Sequence, residues 1–293
     1  MAKGLVNLKV LVTGAKGQLG YDVMNELVKR SHTAIGADIT DFDITDAEMT
    51  DAFFNSLRPD AVIHCAAWTA VDLAETEAEK CTLVNKTGTE NIVNSCKNTG
   101  AKLLYLSTDY VFDGNGTDPW KPYDKRNPLN VYGKTKYEGE IAVETYEKHF
   151  IVRIAWVFGK NGKNFIKTVL KLAKSCDTLN FVSDQIGTPT YTYDLARLLV
   201  DMIETEKYGT YHATNEGGYI SWYDFVLEIL KQAKIEGKTV NPVTSEQFKS
   251  PAKRPYNSRL DKNALVENGF VPLPDWKDAV HRYLMEIGEI NAD

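Results

Sequence analysis

From Lys9 to Gly159 the chain alternates short β-branched runs with longer helix-patterned stretches, and this rhythm restricts its architecture more than any other feature. KVLVTG (9–14) reads as a buried strand, followed by a helix from Gln18 to about Lys29. TAIGAD (33–38) is a second strand and leads to a helix over 47–57, which stops before Pro59. DAVIHCAA (60–67), KLLYLST (102–108) and FIVRIAWVFG (150–159) supply three more strands. Helical patterning across 78–98 and a helix carrying Tyr132 separate them. The expected fold class is α/β: a doubly wound parallel sheet with helices on both faces.

Beyond Gly159 the rhythm loosens. Helices are expected near 164–174, 192–204, 221–233 and 276–287, joined by loops such as DQIGTPTYT and KSPAKRPYNSRLD. The expected organisation is a dinucleotide-binding domain over 1–157 and a smaller mixed substrate-binding portion over 158–293, with 190–214 returning to the first. At 293 residues there is enough chain for both. A net charge of −6 without a dominant basic stripe argues against nucleic-acid or anionic-membrane binding. No run approaches the roughly 18 apolar residues of a membrane helix, and MAKGLVNL lacks the apolar core of a signal peptide. Cys65, Cys81, Cys96 and Cys176 form no C-x-x-C pair, and the five His are isolated. A reduced, cytoplasmic protein without a Cys/His metal centre is the expectation.

VTGAKGQLG places Gly14, Gly17 and Gly20 between the first strand and the first helix. The spacing is G-x-x-G-x-x-G, and it meets three needs: a tight turn, a backbone that can touch pyrophosphate, and a helix N-terminus aimed at negative charge. A glycine-rich turn that binds nothing is the competing reading, which its position after strand one disfavours. Asp38 ends the second strand, 18 residues after Gly20, where an acid can hold the adenosine ribose hydroxyls. It would repel a 2′-phosphate, so NAD(H) is favoured over NADP(H). Further along, NPLNVYGKTKYEGE sets Tyr132 and Lys136 four residues apart on one helix face. With 15 Tyr and 34 basic residues, one such pair arises by chance, so alone it carries little.

TGAKGQLG, CAAWTAVD, STDYVFDG, PLNVYGKTKYEGE and DQIGTPT, in this order, resemble the extended short-chain dehydrogenase/reductase superfamily. Within it the chain is most similar to the dTDP-4-dehydrorhamnose reductases, from about Lys9 to Leu260. The resemblance implies a Rossmann-like fold and NAD(P)H-dependent reduction of the C4 ketone of dTDP-4-dehydro-L-rhamnose to dTDP-L-rhamnose, a step in making surface polysaccharide. Hydride addition builds negative charge on the carbonyl oxygen, which needs a proton. A phenol can give one, but its ordinary pKa near ~10 makes it sluggish. A lysine one turn away is expected to lower that pKa. Tyr132 is therefore the expected general acid, with Lys136 as its tuner and ribose ligand. Thr108 is the expected partner of the substrate oxygen. Ser107 is adjacent, and a strand lets one of the two face the cleft.

By resemblance, Gly17, Gln18 and Leu19 lie along the pyrophosphate, and Asp43 and Ile44 meet the adenine end. Ala66, Ala67 and Trp68, with Thr69, border the riboses. Asp109 and Trp156 contact the sugar nucleotide, and Arg254 and Asn257 meet its phosphates or base. Some similar proteins dimerise through Mg²⁺; Glu286, Glu289 and Asp293 match such ligands in type only, so no metal is assigned, and a homodimer is an expectation of resemblance alone. The superfamily also holds 4,6-dehydratases, epimerases of other nucleotide sugars and non-catalytic cofactor-binding regulators. Thr108 is followed by Asp109-Tyr110 rather than an Asp-Glu pair, which argues against dehydration. The retained Tyr132, Lys136 and Thr108 disfavour the regulator, while an epimerase shares all three.

Overall fold

Five strands succeed one another along the chain: β1 (Lys9–Thr13), β2 (Thr33–Ala37), β3 (Ala61–His64), β4 (Lys102–Thr108) and β5 (His149–Ile154). A sixth, Gly209–His212, comes from far downstream. The computed structural model describes residues 7–291. It arranges these strands as β2-β1-β3-β4-β5 with Gly209–His212 beside β5, every pairing parallel. β1 thus leads outward to β2, while the chain returns to β3 on its other side. That reversal opens a crevice at the carboxyl ends of β1 and β3, where ligands bind in sheets of this kind.

Strand alternation sorts the core into two layers. Val10, Val12, Leu104, Leu106, Phe150 and Val152 face α1 (Gln18–Lys29) and the helix Thr192–Ile203, meeting Leu19, Val23, Leu27, Leu195 and Leu199. Leu11, Val62, Leu103, Tyr105 and Ile151 face the opposite way, onto Phe54, Ile92, Val93, Cys96 and Val143. α2 (Ala47–Leu57) starts on the Asp46 side chain, which accepts from the Met49 amide at 2.9 Å. It ends at Arg58, left-handed at φ 48°, because Pro59 follows. A separate apolar cluster joins the helices Phe165–Ser175, Trp222–Gln232 and Trp276–Glu286 through Phe158, Phe225 and Tyr283. Among the described residues no helix is long and apolar enough to cross a membrane.

Two elements differ from expectation at places that shape the site. The run 150–159 is not one strand: β5 ends at Ile154, Trp156 turns left-handed at φ 52°, and Val157–Phe158 pairs with Thr190–Tyr191 instead. The helical stretch from Ala78 to Thr99 contains a π-helical segment, Leu83–Gly88, which bulges one side chain, Asn85, into the interior.

Candidate active site

The crevice is a cleft of about 980 Å³, lined at one end by the glycine loop and at the other by the Tyr132 helix. Gly14 sits at φ 68° with its α-carbon against the Ala66 backbone; a methyl there would stand 2.8 Å from the Ala66 nitrogen. A methyl on Gly20 would lie 2.2 Å from the Gly14 carbonyl oxygen. These glycines leave a backbone-walled cradle at the N-terminus of α1, suited to a pyrophosphate. Gly20→Ala is expected to destabilise the protein by ~1–3 kcal/mol and to weaken nucleotide binding, read by thermal denaturation and by ADP titration.

The adenosine end lies at β2. Asp38 accepts the Lys16 amide at 3.0 Å, and its own amide bonds Asp41. The Lys16 ammonium reaches Thr40 at 3.4 Å, on the exposed rim. Asp43 holds the Thr45 amide and hydroxyl (2.9 and 2.8 Å), and Ile44 closes the wall behind it. On β3, the His64 ring meets Thr13 at 2.7 Å, and the Thr13 hydroxyl in turn accepts the Ala66 amide. Burial, then the Lys136 charge, pushes His64 down to about 3, so it acts as a neutral strut. Ala66 and Ala67 line the cleft. Trp68 does not. Its amide and carbonyl are both held by the buried Asn85 side chain (2.8 and 3.1 Å), which also bonds Thr135 on the Tyr132 helix. Asn85 fixes the loop after β3 to the catalytic helix. Sequence reading missed it because a π turn, not helical spacing, turns it inward.

The chemistry concentrates where β4 ends beneath the helix Val131–Glu144. Asn130 caps that helix, accepting the Gly133 amide at 2.8 Å. Thr108 flanks the Tyr132 phenol and donates to Asp109 Oδ1 at 3.0 Å. Ser107 also borders the cleft, but its hydroxyl is buried without a partner. Burial pushes the Tyr132 phenol well above its ordinary value, and the Thr108 hydrogen bond pulls it partly back. The expected lowering by Lys136 is thus not what the protein's own groups produce. Lys136 is itself buried, which drives its ammonium down to about 7, with Glu140 opposing. Its ammonium rests 4.0 Å above the Tyr105 ring. Burial disfavours charge on Glu140 too, but Arg153 at 2.8 Å and Arg126 hold it ionised. The site therefore keeps Tyr132 as a proton-bearing acid above a cation of adjustable charge.

Trp156 lines the far end, its ring stacked on Trp222 with centroids 3.7 Å apart and planes 16° apart. Its left-handed backbone is rare for a bulky residue and marks a constrained position. A methyl on Gly187, in the DQIGTPT stretch, would stand 3.0 Å from the Trp156 ring, so this glycine makes the slot. Trp222 escaped sequence reading because only the fold brings residue 222 to 156. Arg254 and Asn257 do not line the cleft. Both Arg254 terminal nitrogens engage Asp72 (3.1 and 2.9 Å), tying the 250–254 segment to the short helix Val71–Ala74 that follows β3. Asn257 is buried and donates to the Asn115 and Asp118 carbonyls. Glu286 accepts from the Tyr191 hydroxyl at 2.8 Å, and Glu289 pairs with Lys174 at 3.1 Å. Asp293 lies outside the described residues.

A dinucleotide-type glycine cradle on a parallel sheet, opening onto a Thr–Tyr–Lys set, defines an extended short-chain dehydrogenase/reductase. Residues 8–288 match the family described as RmlD substrate binding domain. The chain is 37% identical over 294 residues to a dTDP-4-dehydrorhamnose reductase of Escherichia coli (strain K12), covering 96% of this chain and 98% of that one. It is 38% identical over 279 residues to the spore coat polysaccharide biosynthesis protein SpsK of Bacillus subtilis, covering 95% and 97%. A Bacillus anthracis dTDP-4-dehydrorhamnose reductase solved in complex with NADP superposes with a TM-score of 0.92 at 38% identity, covering 96% and 100%. The chain belongs to the dTDP-4-dehydrorhamnose reductase family.

Proposed function

We propose that the protein reduces the C4 ketone of dTDP-4-dehydro-L-rhamnose to dTDP-L-rhamnose with NAD(P)H, in the synthesis of rhamnose-containing surface polysaccharide. The observation that carries this reading is the placement of Tyr132, Thr108 and Lys136 in one cleft with the glycine cradle, in a chain of this family. Gly14, Gly17, Gln18, Leu19 and Gly20 hold the pyrophosphate; Asp38, Asp43, Ile44, Ala66 and Ala67 hold the adenosine end; and Trp68 serves through its backbone. Asp38 favours NAD(H), while the Lys16 ammonium beside Thr40 offers a 2′-phosphate a partner, so NADP(H) is accepted as well. A bound nicotinamide supplies the hydride.

The chain's own groups do the rest. Thr108 fixes the substrate oxygen against the phenol, and Tyr132 releases its proton to that oxygen as negative charge develops. Lys136 stabilises the phenolate left behind and binds ribose. Trp156 and Trp222 present apolar ring surface to the sugar and exclude water, and Asp109 lines the same cleft. The four thiols are unpaired, which fits a reducing cytoplasm. Cofactor absorbance followed with a panel of nucleotide 4-keto-6-deoxy sugars tests the assignment. Substrate-dependent loss with dTDP-4-dehydro-L-rhamnose and formation of dTDP-L-rhamnose are expected. Sugar inversion without net cofactor consumption would make the protein an epimerase instead.

A further inference from the structure

Asp109 is the one fully buried carboxylate lining the cleft, 2% exposed, and it forms no ion pair among the described residues. Its Oδ1 takes the Thr108 hydroxyl at 3.0 Å, and Thr108 flanks the Tyr132 phenol. Its Oδ2 is buried and makes no hydrogen bond. Arg254, whose charge is felt at the adjacent Tyr110, is committed to Asp72. An isolated buried carboxylate is expensive to keep, and a carboxylic acid is not. Phenol, hydroxyl and carboxyl thus stand in series as three proton-carrying groups, all lining the cleft, with the Thr108–Asp109 link a direct hydrogen bond.

We propose that Asp109 resupplies the proton that Tyr132 gives up in each turnover, passing it through the Thr108 hydroxyl. The inference rests on the reduction described above. In the step, the Tyr132 O–H bond breaks as its proton moves to the substrate alkoxide. The phenolate then takes the Thr108 hydroxyl proton while Thr108 takes the proton of the Asp109 carboxylic acid, leaving Asp109 as carboxylate. Asp109 regains a proton from water when the product leaves. No electrons move in this relay, and each proton gained is matched by one lost. Burial pushes the Asp109 carboxyl up to about 6, against the pull of the Ser258 and Thr108 hydroxyls, so it holds and releases a proton near neutrality. Asp109 acts through Thr108 and is a positioning and proton-supplying group rather than the acid itself.

Asp109→Asn keeps the shape and an oxygen that can accept from Thr108, but the amide has no acidic proton to give. In single-turnover measurements with enzyme in excess at saturating substrate, the first reduction by the variant is expected to slow several-fold less than steady-state kcat does, because Tyr132 starts protonated. Steady-state kcat is expected to fall roughly 10-fold or more, because each later cycle waits for reprotonation. Infrared spectra of the protein alone, below pH about 6, should show a buried carboxylic acid band that the variant lacks. A first turnover slowed in step with kcat, with KM raised, would make Asp109 a substrate contact only and overturn the relay. An unchanged kcat would overturn it too, leaving Lys136 as sufficient supplier. The wild-type run separates this from the reaction itself: if wild type oxidises no cofactor with the keto-sugar, the proposed reaction fails, not merely the relay.

Discussion

Tyr132→Phe is expected to lower turnover roughly 10²–10⁴-fold while leaving cofactor affinity within about threefold. The substitution removes one oxygen and its proton and little else. The ring stands edge-on to Tyr110, with centroids 5.7 Å apart, and Phe can keep that contact. Burial holds the phenol protonated until charge appears on the substrate, so the hydroxyl is a loaded acid. Losing it leaves the alkoxide to be protonated by water in a cleft walled by Trp156 and Trp222. Steady-state kinetics with parallel nucleotide titration reads both quantities. Near-normal turnover would remove Tyr132 from the mechanism.

Lys136→Met should lower turnover to a similar extent, roughly 10²-fold or more, yet raise thermal stability. The ammonium is 3% exposed, and burial lowers it to about 7 from an ordinary value near about 10.4. Below pH about 7 both the folded and unfolded chains carry this charge, and the folded one bears the full cost of burying it. Between about 7 and about 10.4 the unfolded chain binds the extra proton, so this group's destabilisation fades as pH rises. Methionine has nothing to titrate and fills a similar volume above Tyr105. Its gain is therefore largest at and below neutral pH, about 3 °C or more in Tm, and shrinks toward pH about 10. Scanning calorimetry across pH reads it. A variant that is inactive and less stable at pH about 7 would show that Lys136 supports the fold through contacts worth more than its desolvation costs.

Much of this molecule is legible before folding is considered. α2 announces both ends, with Asp46 as cap and Pro59 as stop, and those signals act within one turn. β4, residues 102–108, is a buried run whose alternation already separates Leu103 and Tyr105 from Leu104 and Leu106. The glycine loop likewise states its backbone requirement locally. What escapes is set by distant partners. Trp156 breaks the 150–159 run because its carbonyl takes the Thr190 amide at 3.1 Å and its ring needs the Gly187 slot, contacts no local pattern encodes. Asn85 turns inward through a π segment that looks like ordinary helix in sequence. The phenol's acidity is hidden from the sequence for a related reason. Spacing shows that Lys136 is near Tyr132, but the degree of burial, which governs both, emerges only from the packed fold.

The most direct measurement follows the hydride. With cofactor carrying deuterium at the transferable position and dTDP-4-dehydro-L-rhamnose as substrate, the account places the label on C4 of the sugar, in a single configuration, as seen by NMR of the product. Label found at another carbon, or an unlabelled product formed while the cofactor keeps its deuterium, would contradict direct reduction at that ketone.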